Sequence, residues 1–189
     1  VKSDLKQLIR YFYGDSDLWK PDPIEEWKYS GLALIDKIEP HEYVIDVGCG
    51  FNFFKDKIPN LLGIDFANPA ADIKASIEEF KVNEAGEHRP PDDKFDVALC
   101  LGSINFGDEH VIEQQISKVV SMLKDTSRIY WRCNPAIRDH GNDMCDEIPF
   151  FVWSEEWLVY FSELFNYEIN FMNYEPNKIR LYCEWKRTG

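Results

Sequence analysis

The sequence predicts an α/β fold: a mostly parallel sheet, helices on both faces, and an antiparallel pair of strands at the C-terminal end. Three observations predict it. An apolar run, Tyr43, Val44, Ile45 and Val47, carries one acid, Asp46, and breaks into Gly48-Cys49-Gly50. A second run, Leu61-Leu62-Gly63-Ile64, ends on Asp65. A third, Phe95 to Leu101, is followed by a helical pattern, a strand, another helix and two alternating runs. Short β-branched runs bounded by glycines read as buried strands, and strands alternating with helices read as crossover units of a parallel sheet.

Residues 2–13 place Leu5, Leu8, Ile9 and Phe12 at helical spacing, with Ser3 or Asp4 as the cap and Gly14 as the stop. Residues 15–23 read as a loop holding Trp19. A second helix is expected from Pro23 or Ile24, with Glu25 and Glu26 in its first turn, where the helix dipole favours acids. Trp27, Leu34, Ile35 and Ile38 give it an apolar face, and Pro40 stops it. These two helices make an N-terminal extension, residues 1–39, ahead of a core over 40–187; the whole chain, 1–189, reads as one domain.

In the core, the two glycines after the first strand let the backbone turn tightly and let a ligand approach the main chain. Asn52 stands where a third glycine often does, and asparagine tolerates the left-handed conformation better than most residues. Phe53 to Ile58 fits a short helix ended by Pro59. Leu61–Asp65 is the second strand, Ala71–Ala75 the third, 81–94 a loop, and Phe95–Leu101 the fourth strand. Asp108 caps a helix whose apolar face is Ile112, Ile116, Val119, Val120 and Leu123. Arg128–Cys133 is the fifth strand. Residues 136–153 form a long polar segment ending in aromatics, and loops of that length are often binding elements. Ser154 caps a helix through Phe165. Tyr167–Tyr174 and Lys178–Lys186 then alternate around Pro176-Asn177 as a hairpin, with Ile179, Leu181, Cys183 and Trp185 on one face.

Composition narrows the function. With 189 residues, 44% hydrophobic and 15% aromatic, the chain is globular and long enough for a real core. No apolar run approaches the roughly 20 residues of a membrane span. The chain opens at Val1, read as loss of an initiator Met or trimming of the start, and no basic-plus-apolar leader follows. The five cysteines, Cys49, Cys100, Cys133, Cys145 and Cys183, are scattered without a Cys-x-x-Cys; they read as free thiols of a reducing cytosol, so a cytoplasmic location is expected. Cys133, His140 and Cys145 match no standard zinc spacing, and no metal is expected. The net charge is −13, with basic clusters only at Arg128, Arg132 and Arg138 and at Lys178, Arg180, Lys186 and Arg187. Binding to duplex nucleic acid draws on basic patches that neutralise phosphates, so a duplex substrate is disfavoured.

The order Asp46-x-Gly48-x-Gly50, acidic strand tip at Asp65, Phe95-Asp96-Val97 entering the fourth strand, helix, fifth strand, helix and closing hairpin resembles the class I S-adenosylmethionine-dependent methyltransferases over residues 40–187. The resemblance implies a Rossmann-like, seven-stranded sheet and S-adenosyl-L-methionine lying across the carboxyl ends of strands one, two and four. It implies that backbone at Gly48, Cys49 and Gly50 faces the methionine part and ribose. Asp46 would sit near the amino group, Asp65 at the ribose, Ser76 and Ile77 at the adenine, Leu101 with Ser103 at the pocket border, and Phe66 among the cofactor-binding residues. In that family an acid often stands where Ser76 does; a slipped third strand would put Asp72 and Ile73 there instead. Asn134-Pro135 lacks the second proline and the aromatic of the amino-group nucleic-acid enzymes, and follows strand five, not four.

The implied reaction is in-line attack of an acceptor, a small molecule or a protein side chain, on the sulfonium methyl. Positioning alone supplies roughly 7–11 kcal/mol in such reactions. Where the acceptor must lose a proton, His110, His140 and Asp143 are the candidate bases, set against the plainer reading of surface residues. Two other readings stand beside this one. A cofactor-binding partner subunit without catalysis fits the departures at Asn52 and Ser76. A nicotinamide enzyme fits the fold but not Phe53, which takes the place of the last glycine in the Gly-x-Gly-x-x-Gly fingerprint.

Overall fold

A computed structural model describes residues 3–14, 31–135, 147–175 and 180–189. Its strands are β1 (Val44–Val47), β2 (Leu61–Ile64), β3 (Phe95–Leu101), β4 (Leu123–Cys133), β5 (Glu168–Tyr174) and β6 (Leu181–Lys186). They form one six-stranded sheet in the order β2-β1-β3-β4-β6-β5. The first four are parallel, and β6 runs antiparallel to both β4 and β5. The α-helices are α1 (Ser3–Gly14), α2 (Glu109–Ser121) and α3 (Glu155–Leu164).

The alternation of side chains along the strands divides the core into two layers. Ile45, Ala98, Cys100, Ile129 and Trp131 face α2 and α3. Val44, Leu61, Val97, Leu99 and Tyr130 face the other way, onto Leu34, Phe54 and Ile58. α2 buries Ile112, Ile116 and Val119 completely, and Asp108 caps it by accepting from the Val111 N–H at 3.0 Å. Ser154 caps α3 in the same way through the Trp157 N–H. Trp153 packs against Trp131 and Phe161 and donates its indole N–H to the Ile104 carbonyl, so the aromatic end of the long segment anchors the loop after β3.

Four expectations are corrected. Among the described residues the sheet has six strands where seven are expected: Ala71–Ala75 reduces to one parallel bridge, Ile64 to Ile73, with main-chain bonds between the two stretches only from Asp72 and Ile73 to Gly63 and from Asp65 to Ile73, beside the Asp72 side chain on the Gly63 N–H. The described end of the expected second helix, Gly31–Lys37, is a 3-10 helix. Gly31 enters it at φ 55, leaving a short piece before Pro40, and 3-10 geometry suits short pieces. Residues 53–58 form successive turns, since Asn52 and Asp56 are both left-handed, at φ 56 and 63. Leu123 opens β4 opposite Phe95 and does not belong to α2; the register then shifts before Arg128 meets Val97. Trp19, Trp27 and the segment 136–146 lie outside the described residues. Among those described, no helix is long and apolar enough to cross a membrane.

α1 positions the site. It crosses the carboxyl edge of the sheet, where Ile9 and Phe12 are buried with Ile148 and packed by Phe66 and Phe106. Lys6 donates to Glu79 at 2.8 Å and to Ser76 at 3.3 Å. Two fully buried side chains are worth about 3–6 kcal/mol of docking, much of a domain's net stability but supplied by one short helix.

Candidate functional site

The turn after β1 is left-handed at Gly48 (φ 66), Gly50 (φ 54) and Asn52 (φ 56). The asparagine therefore takes the conformation that its position as a third glycine requires. Two acids brace this turn, Asp65 directly after β2 and Asp72 in the segment that follows. The Gly50 N–H donates to Asp65 Oδ2 at 2.9 Å, while Asp65 Oδ1 accepts from the Ala67 and Asn68 N–H groups at 2.7 and 2.9 Å. Asp72 accepts from the Gly63 N–H, from Asn52 Nδ2 and from Lys55 Nζ. Burial opposes the charge of Asp72, but the bonds from Lys55, Gly63 and Asn52 hold its carboxyl below the usual range. The Asn52 side chain in turn lies on Gly63: a Cβ there would meet Asn52 Oδ1 at 2.5 Å. Asp72 is thus a brace for the back of the turn.

A pocket opens at the carboxyl ends of β1, β2 and β3. Six of the residues assigned to the cofactor line it: Gly48, Asp65, Phe66, Ser76, Ile77 and Ser103. Asp46, Cys49, Gly50 and Leu101 lie behind this surface. Gly48 touches Ser103 closely; a Cβ on Gly48 would stand 2.3 Å from the Ser103 Cβ. The Cys49 thiol is pushed far up, by burial first and then by the charges of Asp46, Asp65 and Asp72, which favours the neutral thiol over the thiolate. His110 is exposed on the first turn of α2, beside Gln114 and away from this pocket. His140 and Asp143 lie outside the described residues. Among those described, no group of three or more His, Cys, Asp or Glu is arranged for a metal.

The structure adds residues that strand and motif reading did not find. Lys6 and Ile9 of α1, and Gln115 of α2, complete the wall. Gln115 had a signal: it is a polar residue at 6% exposure within the apolar stripe of Ile112, Ile116 and Val119. With α1 docked the space left is ≈ 50 Å³, enough for a few waters and not for a nucleoside.

Asp46 sits in the middle of β1 at 4% exposure. Burial, then the charges of Asp65 and Asp72, pushes its carboxyl up to about 7. A raised folded value means that the folded protein binds the proton more tightly than the unfolded chain. The associated stability is whole below about pH 4 and is lost as pH rises through about 7. Asp46→Asn should therefore raise stability by about 2 kcal/mol at pH 8, and by much less at pH 4. Urea titrations of both proteins at the two pH values check this; an equal difference at both would show that the charge is not the cause.

No protein-family model matches the sequence, and no curated protein sequence matches it. Solved structures do resemble it. The N-methyltransferase NodS from Bradyrhizobium japonicum, in complex with S-adenosylhomocysteine, superposes at a TM-score of 0.66 with 12% identity, covering 99% of this chain and 100% of that one. Magnesium protoporphyrin IX methyltransferase from Synechocystis, with bound S-adenosylmethionine, gives 0.66 at 13% identity, with 100% and 99% covered. The 1,6-didemethyltoxoflavin-N1-methyltransferase of Burkholderia thailandensis gives 0.58 at 13% identity, with 77% and 71% covered. The chain has the α/β, Rossmann-like fold of the class I methyltransferases.

Proposed function

We propose that this protein is an S-adenosylmethionine-dependent methyltransferase acting on a small-molecule or protein acceptor. One observation carries the reading: a left-handed glycine turn at the end of β1, braced by Asp65 and seated against Ser103, opens on a pocket at the carboxyl edge of the sheet. Open α/β sheets hold their ligands at that edge. The donor set fits the cofactor. Asp65 lines the pocket and Asp46 lies in β1 behind it, acids that suit a cation, and Ser103 Oγ is a buried hydroxyl without a partner.

When bound, S-adenosylmethionine carries the electrophilic methyl group on a sulfonium sulfur. Gly48, Cys49 and Gly50 present backbone to its methionine part and ribose. A carboxylate has about four acceptor sites, and three at Asp65 are taken by backbone N–H groups, so one remains for a ribose hydroxyl. Phe66 and Ile77 flank the base, and Ser103 borders the pocket. Admission of a nucleoside requires α1 to shift, with the Lys6 bonds to Ser76 and Glu79 giving way. The chain's part in the reaction is to hold an acceptor in line and to exclude water. His140 and Asp143 remain the candidates where an acceptor must lose a proton.

Two of the similar structures are methyltransferases named for small molecules, a protoporphyrin and a toxoflavin precursor, which favours a small acceptor. The charge of −13 disfavours a duplex. Free thiols at Cys49, Cys100, Cys133 and Cys183 fit a reducing, cytoplasmic setting.

Titration calorimetry should show binding of S-adenosylhomocysteine and none of NAD; tighter binding of NAD would overturn the reading. Formation of S-adenosylhomocysteine from S-adenosylmethionine in a lysate then separates an enzyme from a cofactor-binding partner subunit, which would bind without turnover.

A further inference from the structure

We propose that Gln115, on α2, reads the 6-amino group of the adenine, in the place of the acid that the resemblance to the class I methyltransferases leads one to expect at position 76. This rests on the cofactor reading above and names the residue that makes the pocket selective for adenine.

Ser76 is an unsuitable acceptor. Its hydroxyl is held between Lys6 Nζ, at 3.3 Å, and Glu79, whose carboxyl it helps to hold below the usual range. Both of its hydrogen-bonding roles are used within the protein while Lys6 stays in place. A hydroxyl freed by the shift of α1 could donate as well as accept, so it would not tell an amino group from an oxo group. Gln115 faces the same pocket from the other side. It is 6% exposed, and its Oε1 is buried without a partner. The orientation of the amide follows from its neighbour. Glu78 Oε1 lies 2.7 Å from Gln115 Nε2, and a carboxylate only accepts, so the amide nitrogen must point at Glu78 and the oxygen must point away from it. Glu78 itself lines the pocket. The result is a neutral acceptor without a bond of its own, on a residue that lines the pocket with Ile77 and Glu78.

An unpaired buried carbonyl is costly to maintain. It is repaid when a ligand brings a donor, and the 6-amino group of adenine is a donor. A 6-oxo purine would present a second acceptor to the same oxygen. The site should therefore reject hypoxanthine where it accepts adenine, since a site built to hydrogen-bond a group discriminates strongly against an analogue that lacks it.

The test compares S-adenosylhomocysteine with S-inosylhomocysteine by calorimetry, on the wild type and on Gln115→Met. The wild type should prefer the adenosyl compound by tenfold or more. Gln115→Met should lose about tenfold for the adenosyl compound and little for the inosyl one, so that the preference collapses. A role in packing alone would weaken both ligands equally, and that result, or equal binding of both by the wild type, overturns the proposal. Gln115→Asn, which keeps the amide but withdraws it by one methylene, gives the same comparison should the methionine variant fail to fold. Failure of the wild type to bind either compound would instead overturn the cofactor reading on which this one stands.

Discussion

Gly48→Ala is expected to destabilise the protein by about 4 kcal/mol. Two costs add. Gly48 has φ 66, where a side chain costs about 1–2 kcal/mol relative to glycine. The new Cβ would also stand 2.3 Å from the Ser103 Cβ, which forces the loop after β3 away from the turn after β1. Overpacking of that kind costs about 1–3 kcal/mol. The two costs can be separated. Adding Ser103→Gly to Gly48→Ala removes the collision but not the backbone strain, so the double variant should recover roughly half of the loss. Denaturant titration of the four proteins measures this, and a double variant no better than Gly48→Ala alone would show that Ser103 is not what the glycine accommodates. Read from the sequence, the two glycines serve the approach of a ligand, and substitution should spare the fold. The contact with Ser103 makes the same position a joint between two strands, so stability and cofactor binding should fall together.

Asp65→Ala is expected to cost about 3 kcal/mol of stability as well as cofactor affinity. Its carboxylate is the shared acceptor for the N–H groups of Gly50, Ala67 and Asn68. Bonds to a charged acceptor are worth about 1.5–3 kcal/mol each, and the half-buried site lets water replace part of them. Asp65→Asn keeps one acceptor oxygen for the Ala67 and Asn68 pair but turns an amide NH₂ toward the Gly50 N–H, so it should lose about half as much. Melts and S-adenosylhomocysteine titrations on both variants provide the check. A normal melting temperature with lost binding would mean that Asp65 serves only the ligand and that the turn does not depend on it.

These cases mark what could be read along the chain. The strands that carry the site were legible because each is short, apolar and closed by a glycine or an acid, and local pattern dominates where a strand is buried on both faces. The helix caps Asp108 and Ser154 were legible for the same reason: a cap acts within three residues of itself. The third strand was not. Ala71 to Ala75 has the composition of a strand, yet its pairing with β2 stops at the single bridge of Ile73, and the Asp72 side chain bonds instead to Gly63, Asn52 and Lys55, partners that local pattern does not reveal.

The sequence by itself determined the class of fold, the glycine turn and its left-handed asparagine, since backbone freedom at Gly48, Gly50 and Asn52 is a property of those residues. Only the tertiary structure decided which side chains meet around that turn. It joined Ser103 to Gly48, brought Lys6 of α1 onto Ser76, and turned Gln115 of α2 toward the same pocket. It also buried Asp46, with the charges of Asp65 and Asp72 acting on it, and so raised a carboxyl that the sequence shows as one acid among 34 Asp and Glu. Each of these depends on residues far apart in the chain, and their contacts are set by how strands and helices stack, not by local spacing.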